Sequence, residues 1–275
     1  MIRLSVIQCC SVPDVAENLN AIEKQLELLP EANQQIVLLP ECCLFFGSTD
    51  QAQLLVAQQH SEMMIDKLSK LANKFKITLV AGSIPLPVEN NNKKFTNSSL
   101  VFDENGTILG RYDKIHLFDV EVNDNEKQYR ESNFVQAGQS LSIVDLPFAS
   151  IGQTICYDVR FPELYRALRQ GGADIICVPA AFTRVTGKAH WQALLQARAI
   201  ENQVYIIAAG QEGIHANGRE TWGHSMIISP WGEILAQIET GQGMISATFE
   251  PETLAQVRKS IPVAQHNKFL VEMNL

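Results

Sequence analysis

The chain has 275 residues, 46% hydrophobic and 19% charged, with a net charge of −8. This is the composition of a globular protein, and a chain this long buries roughly three-quarters of its unfolded surface in a core of its own. The acidic balance, with nothing basic clustered beyond Lys93-Lys94, excludes a nucleic-acid footprint, and no apolar stretch approaches the ~20 residues that span a membrane.

Taken in chain order, strand-like and helix-like segments alternate. Residues 1–8 alternate like a strand and lack the basic start and long apolar region of a signal peptide, so a cytoplasmic protein is expected. Asp14 can cap a helix running to about Leu29, with Val15, Leu19, Ile22, Leu26 and Leu29 on one stripe. A short buried strand at 36–39, a helix over 50–75 and a strand over 77–84 follow. The Asn105-Gly106 pair between apolar runs predicts a hairpin. Residues 115–138 are polar and irregular, and a loop that long inside a compact domain is usually functional.

The second half repeats the pattern, with strands at 141–145 and 149–155, a helix at 162–171, a strand at 174–179 and a helix at 188–202. Strands at 204–209, 224–229, 233–238 and 243–249 come next, with Gly232 turning one hairpin, then a short helix and a tail over 262–275. No Pro-, Gly- or Ser-rich linker separates the halves, so a single domain over 1–275 is expected. Very apolar strands joined by both hairpins and crossovers predict two packed sheets covered by helices. The six cysteines include two adjacent pairs, Cys9-Cys10 and Cys42-Cys43, which bridge poorly. They have neither C-x-x-C spacing nor a companion His, so free thiols in a reducing compartment are expected and a metal site is not.

Three polar residues end apolar runs. Glu41 closes Ile36-Val37-Leu38-Leu39-Pro40-Glu41, Lys114 closes Ile108 to Lys114, and Cys156 closes Ala149 to Ile155 before Tyr157-Asp158-Val159-Arg160-Phe161-Pro162. A strand-to-helix elbow at Cys156 would aim the thiol out of the sheet and leave backbone N–H groups free for developing negative charge. A thiol needs a base or a positive field to become a nucleophile. His116 and His190 have no evident orienting partner, whereas Glu41, if partly buried and raised in pKa, could relay the proton. Lys114 could then stabilise thiolate and oxyanion. Taken singly, each residue also has a structural reading: filler for Cys156, a helix cap for Glu41, a solvated strand end for Lys114. Cys177, within an apolar strand, reads as core.

Together the three segments resemble the Glu, Lys and Cys motifs of the nitrilase superfamily of carbon–nitrogen hydrolases, in order and over nearly the whole chain. The resemblance implies a four-layer α-β-β-α sandwich, an amidase with a Glu41–Lys114–Cys156 triad, no cofactor and a homodimer. It also implies a supporting glutamate, matched to Glu131, with Glu121 and Glu126 in the same loop. Lys114 to Asp119, Phe182 to Trp191, Gly223-His224-Ser225 and Pro230-Trp231-Gly232 resemble the branch containing deaminated glutathione amidase and ω-amidase, and Gly210 to His215 leans towards the former. By that resemblance Tyr157 donates its backbone N–H to the oxyanion. Arg160 clamps the substrate carboxylate, or pairs with Asp158 or Glu163, while Phe182 and Thr186 line the pocket. His224 reads as structural. The expected partner is a small amide, deaminated glutathione ahead of α-ketoglutaramate; a catalytically silent binding protein is the alternative of another class.

Overall fold

The fold is taken from a computed structural model and is described for residues 1–124 and 128–272. The first half lays down β1 (Ile2–Gln8), α1 (Val15–Leu26), β2 (Gln34–Leu38), α2 (Asp50–Phe75), β3 (Thr78–Val80), β4 (Ile84–Val88), β5 (Asn91–Phe102) and β6 (Ile108–Asp113). A small hairpin, β7 (Asp119–Glu121) with β8 (Gln128–Arg130), precedes β9 (Ile143–Leu146), β10 (Ala149–Gln153), α3 (Pro162–Gln170), β11 (Ile175–Ala180) and α4 (Arg184–Asn202). The chain finishes with β12 (Tyr205–Gly210), β13 (Glu212–Ile214), β14 (Glu220–Trp222), β15 (Ser225–Ile228), β16 (Ile234–Ile238), β17 (Gly243–Phe249), α5 (Pro251–Ser260) and α6 (Val263–His266).

One sheet runs β17-β1-β2-β3-β5-β4 with β6 on β5, and the other β16-β15-β12-β11-β10-β9. The period-2 alternation of strand side chains divides the apolar residues into three layers. Leu4, Val6, Ile36, Leu38 and Val80 of the first sheet meet Ile151, Ile175, Cys177, Ile207 and Ile227 of the second between the sheets. Their neighbours Ile7, Val37 and Leu79 face outward to Ile22, Leu26, Met64 and Leu68 of α1 and α2. On the other side Ile176, Ile206 and Met226 pack under Leu164, Leu168, Trp191 and Leu195 of α3 and α4. The result is the expected four-layer α-β-β-α sandwich, with Cys177 in its central layer.

Local chemistry accounts for most boundaries. Asp14 caps α1 by accepting from the Glu17 N–H (2.9 Å), and α1 stops at Leu26, three residues short of the expected end. The expected strand over 77–84 breaks at Gly82, whose φ of +53° and close approach to the Leu39 and Pro40 carbonyls admit no side chain. The Asn105-Gly106 hairpin forms between β5 and β6, with Gly106 at φ +81°. A second Asn-Gly pair, Asn217-Gly218, turns β13 into β14, a hairpin absent from the sequence reading. The long loop contains the β7–β8 hairpin and a 3₁₀ turn at Glu131–Asn133. The parallel strands β2, β10 and β11 end side by side in the two sheets, and ligand sites in such sheets form beyond the carboxyl ends of the strands.

Candidate active site

Cys156 follows β10 by three residues and opens a 3₁₀ turn, Cys156–Arg160. Its φ is +49°, a left-handed conformation that costs a non-glycine residue of order 1–2 kcal/mol unless the surroundings impose it. Asp158, fully buried, does so. It accepts from the Ile155 N–H (2.8 Å), the Tyr112 hydroxyl (2.7 Å), the His116 N–H (3.1 Å) and His116 Nδ1 (2.7 Å). His116 therefore has the orienting partner the sequence did not reveal, and it stacks on Phe161 at 3.6 Å. Thr154, donating to the Cys177 carbonyl (2.7 Å), ties the elbow to β11.

Glu41 stands three residues beyond β2 and Lys114 directly after β6. The Lys114 ammonium donates to Glu41 Oε1 (3.0 Å) and to both Glu131 oxygens (3.1 and 2.9 Å). Asn97, buried in β5, donates to Glu41 Oε1 (2.9 Å) and Glu131 Oε1 (3.3 Å). Glu41 Oε2 accepts from the Ala181 N–H (2.8 Å), and Glu131 Oε2 from the Phe118 N–H (2.6 Å). The Glu41 carboxyl and the Cys156 thiol are close enough for each to shift the other's titration. Glu41, Lys114 and Cys156 are 4%, 2% and 4% exposed, so these contacts are made away from bulk water and are correspondingly strong.

The charges sort themselves accordingly. Burial pushes Glu41 up, but the Lys114 and Arg219 cations, with the Cys156 thiol, outweigh it and hold the carboxyl below its ordinary value. This corrects the expectation of a raised Glu41. Burial likewise opposes the Lys114 charge, yet Glu131 and Glu41 hold the ammonium well above its usual range. Burial and the Glu41 charge push the Cys156 thiol well up, against Lys114 and Arg219. The arrangement is thus thiol, carboxylate and ammonium, with the Glu41 carboxylate placed to accept a proton from the sulfur.

These groups open on a cavity of about 420 Å³, lined among others by Phe46, Phe95, Asn97, Tyr129, Glu131, Asn217 and Arg219. Glu41, Lys114, Glu131 and Cys156 are brought together there. Glu121 is on β7, its side chain 77% exposed and paired with Arg130, and Glu126 lies outside the described residues. Tyr157 follows the thiol, its ring edge-on to Phe118 and Phe161. Arg160, Phe182 and Thr186 do not line this cavity. The Arg160 guanidinium sits 5.1 Å over Phe182 and contacts His190 (3.3 Å) rather than Asp158 or Glu163, because the buried Asp158 is taken up by the elbow. Phe182 packs on Trp191 in the core, and Thr186 bonds Thr183 in the first turn of α4. His224 stacks on Trp222 at 4.1 Å.

Asn97 and Arg219 went unread in the sequence. A polar run, Thr96-Asn97-Ser98-Ser99, between the apolar Phe95 and Leu100-Val101-Phe102 was the available sign for Asn97, since a buried amide needs partners. For Arg219 it was the second Asn-Gly turn immediately before it. Among the described residues no group of three or more His, Cys, Asp or Glu side chains is disposed to hold a metal ion, and all six cysteines are free.

Residues 3–259 match the family described as carbon-nitrogen hydrolase. The chain is 44% identical to the deaminated glutathione amidase of Synechocystis sp. (strain PCC 6803 / GT-S), covering 97% of this chain and 98% of that protein. It is 36% identical to the ω-amidase NIT2 of Xenopus tropicalis, covering 98% and 97%. The crystal structure of the C. elegans NitFhit protein superposes with a TM-score of 0.92 at 36% identity, over 99% of this chain and 67% of that one.

Proposed function

This chain belongs to the carbon–nitrogen hydrolase family, and we propose that it is a cofactor-free cysteine amidase that hydrolyses deaminated glutathione to α-ketoglutarate and cysteinylglycine through a thioester. The convergence of Glu41, Lys114 and Cys156 on one cavity carries this reading. Glu41 accepts the Cys156 proton as sulfur attacks the amide carbon. The Lys114 ammonium and the Tyr157 N–H hold the oxyanion. Glu41 then gives its proton to the departing amine, and afterwards draws a proton from the water that cleaves the thioester. Glu131 positions Lys114, accepting from it with both oxygens. Arg160, at the end of the elbow turn with its guanidinium over Phe182, is the proposed clamp for the acyl carboxylate, the acyl group then running from Cys156 along the elbow and outside the cavity lining.

A single catalytic unit acting on a small amide in the cytoplasm fits the absence, among the described residues, of a helix long and apolar enough to cross a membrane. The reading includes a homodimer, supported by the exposed apolar side chains Val185, Ile200, Trp231 and Leu235.

The nearest alternative is an ω-amidase releasing ammonia from α-ketoglutaramate, favoured by the likeness to the Xenopus ω-amidase. A cavity of about 420 Å³ beside the thiol favours a leaving group larger than ammonia. Parallel measurement of kcat/KM for the two compounds tests the choice. Deaminated glutathione should be the better substrate, and Cys156→Ala should turn over neither. A large preference for α-ketoglutaramate would reassign the enzyme. No turnover of either, with no acyl adduct on Cys156 by intact mass, would leave a silent binding protein on this fold.

A further inference from the structure

We propose that Arg219 is the specificity residue for the leaving half of the substrate, binding the terminal carboxylate of the departing cysteinylglycine. This rests on the reading just given and adds the group that recognises what leaves.

Among the described residues three cations line the cavity, and two are already engaged. Lys114 is held by Glu41 and Glu131. Arg130 turns to the Val120 and Tyr129 carbonyls and to Glu121 on its own hairpin. Arg219 donates through Nη2 to the Ala181 carbonyl, while its buried Nε has no hydrogen-bond partner among the described residues. A buried guanidinium N–H left unmatched is costly in a folded protein unless a ligand completes it. Its Cζ stands 5.8 Å from the Phe46 ring and 5.2 Å from the Tyr129 ring, two aromatic faces that hold the plane without consuming donors. Such a fixed, planar, partly unsatisfied fork suits a carboxylate.

The position is fixed by the hairpin that carries it. The Arg219 carbonyl accepts from the His215 N–H (2.9 Å), and its own N–H donates to Asn217 Oδ1 (3.0 Å). His215 is tied to the Ser11 carbonyl (3.1 Å) and Thr221 (2.8 Å) and stacks on Phe46 at 3.7 Å, so the hairpin tip is fastened to the cavity wall. The Ala181 residue whose carbonyl receives Arg219 also donates its N–H to Glu41. Base and guanidinium are therefore separated by two hydrogen bonds and the width of one residue, roughly 9 Å at most. An extended dipeptide spans about 7 Å, so a carboxylate at the end of cysteinylglycine reaches Arg219 when the scissile amide lies at Cys156. Ammonia, the leaving group of α-ketoglutaramate, reaches nothing there.

The test compares wild type, Arg219→Gln and Arg219→Lys at neutral pH on deaminated glutathione, on its C-terminal glycinamide analogue and on α-ketoglutaramate. Wild type should prefer the acid to its amide analogue by about tenfold to a hundredfold, the range of a charge-assisted pair. Arg219→Gln should bring that ratio close to one, chiefly through KM, with a loss on deaminated glutathione at least about tenfold greater than on α-ketoglutaramate. Arg219→Lys, which keeps charge without the fork, should restore part of the preference. Equal losses on all three compounds, or an unchanged acid-to-amide ratio, would overturn the assignment while leaving the proposed activity standing. A wild-type enzyme inactive on deaminated glutathione would overturn both.

Discussion

At the residue scale, the charge of Glu41, the proposed base, is set by its neighbours more than by its burial. An isolated carboxyl as buried as Glu41 would stay protonated, but Lys114, Arg219 and Cys156 reverse that sign. Because its pKa falls below the ordinary 4.5, the Glu41 carboxylate persists until the pH drops under that value. The acid limb of kcat/KM should accordingly lie below pH 4.5, and the stability that ionised Glu41 contributes should be present above that pH and lost beneath it. A pH–rate profile checks this, and an acid limb near neutrality would show a carboxyl governed by desolvation. Glu41→Gln should lower kcat by about 10²- to 10⁴-fold, the usual range for a missing general base, while Glu131 still pairs the buried Lys114 ammonium and keeps the chain folded. Circular dichroism beside the kinetics separates the two effects. None of this sign reversal was readable from Leu39-Pro40-Glu41, since Lys114, Cys156 and Arg219 come from distant segments.

At the element scale, packing decides where propensity alone would mislead. Gly187 lies in the first turn of α4, where alanine would favour the helix by about 1 kcal/mol. Its added methyl, however, would run into Cγ and Cβ of Trp222 on β14, and the Cβ is fixed by the backbone, so no change of rotamer moves it clear. Overpacking of that kind costs about 3 kcal/mol, so Gly187→Ala should lose a net 2 kcal/mol or so in urea unfolding. A stabilised variant would mean that β14 slides freely on α4. The same contrast explains which elements were readable. Strands β1, β2, β11 and β12 and helix α2 announce themselves by runs of apolar residues of the right length and period. The hairpins β7–β8 and β13–β14 are short and polar, and they exist because the body of the protein anchors them, as His215 shows for the second.

At the scale of the whole molecule, the site is a product of layering. Two sheets pressed face to face through Leu4, Ile36, Ile175 and Ile207 bring the ends of β2 and β10 together, so that Glu41 and Cys156, 115 positions apart, meet at one cavity. The outer face has its own consequence. Trp231 and Ile200 are 61% and 53% exposed, and Gly232, next to Trp231 in the chain, packs directly over Ile200, so both residues lie in one region of the surface. In the proposed homodimer this region is covered. Sedimentation should give a dimer for wild type and a monomer for Trp231→Asp, because a buried unpaired carboxylate is strongly unfavourable. A monomeric wild type would leave that proposal without support.

By itself the amino-acid order determined the alternation of elements, the two-sheet sandwich, the three polar residues at strand ends and the family they resemble. Those features are local, carried by hydrophobic period, turn residues and contiguous motifs. Tertiary structure alone decided that Glu41 rests ionised, that Asn97 and Arg219 join the site, that Asp158 holds the elbow, and that Arg160, Phe182 and Thr186 stand outside the cavity wall. Each of these depends on the low-dielectric meeting of side chains from separate strands and loops, and no local pattern encodes which distant partners will meet there.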